Sequence, residues 1–192
     1  QLRKAPRLVS DALKPACCDT RVRAMVKVQD GCNDFCTYCI VPQVRGREYS
    51  LPPQEIIEEI KNRVEAGYRE VVLTGTKIGC YRYGDISLRE LIESILKETN
   101  VERLRLSSLQ PAEISPELLS LWENHRLCRH FHLALQSGSD SILKRMRRHY
   151  SVSEYRQAIA LIREMIPKTA ISTDVMVGFP GETEEDFQDT LS

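Results

Sequence analysis

The stretch AMVKVQDGCNDFCTYCIVP, Ala24–Pro42, joins two patterns. Its first part alternates along β-branched residues and predicts a strand. From Gly31 onward it places Cys32, Cys36 and Cys39 within eight residues, in the spacing C-x3-C-x2-C. A strand that runs directly into a reactive loop is one half of a βα unit. Whether that unit recurs decides the fold.

It recurs. PPQEIIEEIKNRVEAG has Ile56, Ile57, Ile60 and Val64 at helical spacing, with Pro53 in the first turn and Gly67 as the stop. REVVLTG is a short buried strand. SLRELIESILKE opens on a capping box, Ser87 and Glu90, with Leu88, Leu91, Ile92 and Ile95 on one face. ERLRLSS (strand), SPELLSLWEN (helix, N-cap Ser115), HFHLALQS (strand) and SVSEYRQAIALIREM (helix, boxed by Ser151 and Glu154) follow. AISTDVMVGF is a fifth strand, and TEEDFQDTLS begins a fifth helix at Thr183. Five alternations predict an α/β fold of parallel strands with right-handed crossovers. A barrel and an open doubly wound sheet both satisfy the periodicity. In both, ligands bind at the C-terminal strand ends. Those ends read QDGCNDFCTYC, LTGTKIG, SSLQP, LQSGSD and VGFPGE, all small, polar or Gly-rich.

The chain has 192 residues, enough for one sizeable domain, and is 42% hydrophobic. Lys plus Arg and Asp plus Glu are both 27, so no global charge argues for a nucleic-acid partner. Local charge is uneven: LKRMRRHY, Leu143–Tyr150, is a basic cluster, and residues 1–24 carry six basic side chains against Asp11 and Asp19. Residues 1–23 read as a linker or tail, and 24–192 as the domain. Seven cysteines, unevenly spaced, fit reduced thiols better than a disulfide scaffold. With no apolar run of roughly 20 residues and no signal-peptide core, the expected location is the cytoplasm.

Thiolates bind soft or borderline metals. Closed zinc sites need four ligands. Here the fourth would come from Cys80, Cys128, His125, His130, His132 or His149, none of them in the loop. A [4Fe–4S] cluster held by three thiolates instead keeps one iron open to a substrate or cofactor. A zinc knuckle, or a Cys36–Cys39 redox pair, is the plainer alternative. Cys17 and Cys18 are adjacent and suit no shared ion, so they read as incidental. Cys80 and Cys128 read as small buried apolar residues, and His130 and His132 as packed core histidines on one strand face.

VKVQDGCNDFCTYCIVPQVRGREYS resembles the cluster loop of radical S-adenosylmethionine (SAM) enzymes, with Tyr38 as the aromatic before the last cysteine. LALQSGSDSILKRMRRHYS and STDVMVGFPGETEEDF resemble the methylthiotransferase branch of that superfamily. The resemblance implies a partial (β/α) barrel with about five of six expected units present. It implies a [4Fe–4S] cluster on Cys32, Cys36 and Cys39, and SAM as the second cofactor. Reductive cleavage of SAM would yield a 5′-deoxyadenosyl radical that removes hydrogen from an unactivated carbon, which then becomes C–S–CH3. It implies, besides, a second [4Fe–4S] cluster in an N-terminal domain outside this chain. Further implied are a last barrel unit and an RNA-gripping β-domain beyond its C-terminus, tRNA as partner, and an electron donor such as a flavodoxin or ferredoxin.

Carried over position by position, Thr74 and Gly75 would receive the SAM amine, glycine permitting close approach. Ser108 would face the SAM pocket, and Gln136 would meet ribose hydroxyls. Arg148 would make a fork to the SAM carboxylate, with Arg145 and Arg147 as competitors in a cluster that also suits a solvated face. Asp174, an acid in an apolar strand, would be buried and catalytic. LTGTKIGCYRYGD and RLRLSSLQPAEISPELLSL look most like the branch acting on threonylcarbamoyladenosine at tRNA position 37. The isopentenyladenosine branch has Gln-Asn where this chain has Thr76-Lys77, and a third branch modifies a ribosomal-protein aspartate.

Overall fold

The computed structural model describes residues 22–192. Apart from Val22 and Arg23, the expected linker at 1–23, with Cys17 and Cys18, lies outside the described residues. Five parallel wall strands follow in chain order. β1 (Arg23–Lys27) pairs with β2 (Glu70–Thr74), and β2 with β3 (Arg103–Leu106). After Ser107 the third strand continues as β4 (Ser108–Leu109), which pairs with β5 (His130–Leu133), and β5 pairs with β6 (Ala170–Ser172). Neighbours in sequence are thus neighbours in space, with no point at which the order reverses. Every crossover steps the same way and lays its helix on the same outer face. A doubly wound sheet needs a reversal. The wall is therefore a curved, singly wound barrel segment.

The helices form where local chemistry starts and stops them. α1 (Pro53–Glu65) has Pro at its first position, buries Ile56, Ile57 and Ile60, and ends before Gly67, whose φ is +94°. α2 (Leu88–Glu98) carries the Ser87–Glu90 capping box and buries Leu88, Leu91, Ile92 and Ile95. α3 is only Pro116–Leu119. The predicted SPELLSLWEN helix tightens at Ser120–Glu123 into 3-10 turns that bury Trp122 over Phe131, ring centroids 4.5 Å apart. α4 (Asp140–Arg145) and α5 (Val152–Met165) follow β5, and α6 (Glu184–Leu191) starts at the Thr183 cap.

Along each wall strand one set of side chains faces the helices: Val26, Val71, Leu73, Leu104, Leu106, Phe131 and Leu133, all buried. Each such side chain contributes about 1.5–3 kcal/mol. The alternate set faces inward and, Met25, Val72 and Ala170 apart, is polar: Arg23 and Lys27, Glu70 and Thr74, Arg103 and Arg105, His130 and His132, Ser172. Glu70 sits low in this lumen, 7% exposed, and ties three strands together. It accepts from Nε of Arg23 (2.8 Å), Arg103 (2.9 Å) and Arg105 (2.7 Å). Among the described residues β1 and β6 are the two edges, and β6 has only β5 beside it.

Candidate active site

The cysteine loop leaves β1 through Gln29 and Asp30, which pair antiparallel with Tyr49–Ser50. Gly31 then adopts φ +71°, and a Cβ there would lie 2.2 Å from the Arg47 carbonyl oxygen. This close packing turns the chain so that Cys32 N–H donates to Gly46 O at 3.2 Å. Asp30 anchors the turn. Its carboxylate accepts from Gly31 N–H, Lys27, Arg45 and the Thr76 hydroxyl. Its pKa falls to about 2: burial acts to raise it, but the lysine and the other donors outweigh burial.

Cys32, Cys36 and Cys39 are all free thiols, each half-buried. Asp34 N–H donates to Cys32 Sγ at 3.3 Å, and Cys39 N–H to Cys36 O at 3.0 Å. Burial pushes the Cys32 thiol pKa up. Among the described residues no three His, Cys, Asp or Glu side chains already converge as a metal-ligand group. The loop rests on the C-terminal end of α4, where Thr37 donates from N–H to Met146 O and from its hydroxyl to Arg145 O, both at 3.2 Å.

Beyond α4 the three arginines separate. Arg145 reaches the carbonyls of Pro180 and Gly181 and pins the GFPG turn. Arg147 lies exposed at φ +56°. Arg148 turns to the loop, with Nη1 3.4 Å from Cys36 Sγ and Nε 3.1 Å from the Tyr150 hydroxyl. The basic cluster is thus split between turn, solvent and cysteines. Tyr38, 37% exposed, lies beside Arg148, whose charge opposes the upward push of burial on the phenol.

Thr74 closes β2, its hydroxyl donating to Val26 O at 3.3 Å. A Cβ on Gly75 would come within 2.8 Å of Gln29 O and 3.0 Å of Gln29 Oε1. The neighbour that needs this glycine is therefore Gln29 of the adjacent strand end. Just beyond, Lys77 Nζ lies 2.7 Å from Asp34 Oδ2, each side chain 16% exposed. Lys77 holds the Asp34 carboxyl below its ordinary value against the opposing effect of burial.

The remaining residues line the inner wall. Ser108 is exposed and pairs in register with His132. Gln136 follows β5 at φ +70°; its N–H donates to Asp174 O (2.9 Å) and its carbonyl accepts from Met176 N–H (2.8 Å). Asp174 departs from expectation: its side chain is 72% exposed. β6 is an edge strand that ends at Ser172, so Asp174 sits on the open rim, 3.4 Å from His132 Nε2. The two histidines do share a face, but it is the lumen face and not the packed one. His130 Nε2 meets the Ser172 hydroxyl at 3.1 Å, while both Nδ1 atoms and Ser107 Oγ are buried without a partner among the described residues. Burial, with Arg105 nearby, lowers the His130 pKa.

Two groups result. Cys36, Tyr38 and Arg148 meet at the loop, while Ser108, Gln136 and Asp174 meet around His132. Tyr150 links them, donating to the carbonyls of Ala134 (2.6 Å) and Leu135 (2.8 Å). The sequence gives no site role to Tyr150 or Asp34, and marks Lys77 only as a feature of the branch. An aromatic two places after an arginine was the signal for Tyr150; a charge of each sign at two adjacent strand ends was the signal for the pair.

The sequence model of the radical SAM superfamily matches residues 26–192. A threonylcarbamoyladenosine tRNA methylthiotransferase, MtaB, of Chlamydia pneumoniae is 48% identical over 88% of this chain and 40% of its own length. A tRNA-2-methylthio-N(6)-dimethylallyladenosine synthase of Clostridium novyi is 43% identical over 89% of this chain and 39% of its own. The chain thus spans about two fifths of these curated relatives. In fold it is similar to the radical SAM methyltransferase TsrM of Kitasatospora setae, solved with cobalamin and a [4Fe-4S] cluster. The TM-score is 0.73 at 17% identity, covering 88% of this chain and 33% of that one. Methylornithine synthase, at TM-score 0.60 and 18% identity, covers 88% and 48%.

Proposed function

The chain belongs to the radical SAM superfamily, and from that premise we propose that it is the cluster- and SAM-binding part of a cytoplasmic tRNA methylthiotransferase acting on threonylcarbamoyladenosine at position 37. The observation that carries the reading is the loop itself: three free thiols on one turn at the mouth of a parallel barrel segment, with a guanidinium on one sulfur. Three soft donors without a fourth in the loop fit a [4Fe–4S] cluster that keeps one iron open. The cluster, when bound and reduced, supplies the electron for reductive cleavage of SAM.

This chain's own residues supply place and polarity. Tyr38 and Arg148 flank the cluster position, and the Thr74–Gly75 backbone lies at the adjacent strand end. The lumen wall offers Ser108 and Gln136 to a ligand rich in hydroxyl and nitrogen groups, as SAM and an adenosine are. In this reading Asp174, 3.4 Å from His132 Nε2 at the rim, is the residue that meets the substrate. On this reading the second cluster and most of the tRNA-gripping surface come from parts of the longer relatives that this chain does not span.

Support for the threonylcarbamoyl branch is the resemblance at Thr76-Lys77, where the isopentenyladenosine branch typically has Gln-Asn. Thr76 and Lys77 bond Asp30 and Asp34 across the two strand ends. A Gln-Asn pair there would leave Asp34 without its cation. Deletion of the gene tests the reading. Bulk tRNA should lose 2-methylthio on threonylcarbamoyladenosine and retain it on isopentenyladenosine. The opposite loss refutes the branch, and no loss of either refutes the activity.

A further inference from the structure

We propose that Arg148 is a positioning residue that donates to the Cys36 sulfur and thereby raises the reduction potential of the cluster held there; this rests on Cys32, Cys36 and Cys39 being the ligands. Arg148 is fixed on several sides. Nη1 points at Cys36 Sγ (3.4 Å), Nε at the Tyr150 hydroxyl (3.1 Å), and the guanidinium carbon stacks 4.9 Å over the Tyr150 ring. Tyr150 is itself buried and tied to the carbonyls that end β5. The acceptor is clamped as well, since Thr37 beside Cys36 is bonded to Arg145 O and Met146 O at the end of α4. Donor and sulfur are therefore held from one short segment, residues 145–150.

This geometry conflicts with a fork to a carboxylate. A fork uses two parallel N–H groups on one edge of the guanidinium. Here Tyr150 takes Nε and Cys36 takes Nη1, so each edge already has a committed nitrogen. Arg145 is committed to the Pro180 and Gly181 carbonyls. A cationic donor at a ligand sulfur stabilises the form with more negative charge, which is the reduced cluster, so it raises the potential. It also orients the thiolate, and loss of such an outer partner typically weakens metal retention by about 10–100-fold.

The test uses the 192-residue chain reconstituted anaerobically, without SAM for the first measurements. Midpoint potential and the electron-spin spectrum of the reduced cluster are compared in wild type, Arg148→Gln and Tyr150→Phe. Arg148→Gln should shift the potential lower, change the spectrum and lose iron to a chelator about tenfold faster. Tyr150→Phe keeps the ring but frees Nε; it should shift the potential the same way and less. Tyr150→Phe also carries the test if Arg148→Gln does not fold. Arg148→Lys should restore part of the potential. Equal potentials in wild type and Arg148→Gln overturn the proposal, and weakened SAM binding beside them would return Arg148 to the SAM carboxylate. If wild type takes up no reducible cluster, the ligand assignment fails first and the proposal with it.

Discussion

Gly31→Ala and Gly46→Ala form a matched pair that isolates how tightly the cysteine loop is packed. Both glycines have positive φ, +71° and +77°. Alanine in that region costs roughly 1–2 kcal/mol, offset by about 0.5 kcal/mol of lost unfolded-state entropy, so each change costs about 1 kcal/mol on conformation alone. Gly46 has nothing within 4 Å of the added carbon and should stop there. At Gly31 the methyl meets the Arg47 carbonyl oxygen at 2.2 Å and the Gly46 carbonyl oxygen at 2.9 Å. Both are backbone atoms and cannot rotate away. Relieving the clash adds about 1–3 kcal/mol. Moving the Gly46 carbonyl also breaks the bond from Cys32 N–H, about 1 kcal/mol more. Gly31→Ala is thus less stable than Gly46→Ala by about 3 kcal/mol. For a domain of this size that lowers the melting temperature by roughly 6–12 °C relative to Gly46→Ala. Circular dichroism melts and urea titrations of the two variants measure it. Melts agreeing within about 2 °C would refute the loop geometry.

Glu70→Gln removes the anchor of β1, β2 and β3. Arg23 and Arg103 are 57% exposed and rehydrate, but Arg105, 15% exposed, is left unpaired, so the loss should be about 2–3 kcal/mol in a urea titration. Burial acts to raise the Glu70 pKa, yet Arg105 and Arg103 hold it below its ordinary 4.5. Its contribution is therefore full above about pH 5 and lost as pH falls through the depressed folded value, and Glu70→Gln should show a flatter acid limb than wild type. Lys77→Met strips the cation from Asp34 and should cost about 2 kcal/mol; Asp34 should then titrate at higher pH by carboxyl NMR, and Lys77→Met/Asp34→Asn should recover part of the loss. Alanine at Cys32, Cys36 or Cys39 should abolish reductive SAM cleavage, whereas alanine at Cys17 or Cys18 should preserve it. Equal loss at all five positions contradicts the ligand assignment.

Much of the wall was legible because local and tertiary signals agree. The boxes at Ser87–Glu90 and Ser151–Glu154 and the cap at Thr183 start helices where the sequence predicts them. The three-thiol loop follows β1 directly. Strand order was not legible in periodicity, because parallel strands read alike in either winding. Nor was the lumen. The alternation Arg103-Leu-Arg105-Leu and His130-Phe-His132-Leu marks two faces, but not that the polar one faces an open interior. Asp174 was expected to be buried because its neighbours are apolar. In this chain it is exposed because, among the described residues, β6 has a neighbour on one side only. Arg148 could not be told from Arg145 and Arg147 by spacing. The exit from α4 separates them, sending one to a turn, one to solvent and one to a sulfur.

Anaerobic reconstitution followed by iron, sulfide and electron-spin measurement tests the central claim most directly. A [4Fe–4S] cluster on Cys32, Cys36 and Cys39 predicts about four iron and four sulfide per chain and a reducible, spin-active cluster whose spectrum changes on adding SAM. One zinc per chain, with no reducible cluster, would contradict it and make the loop a metal-binding module.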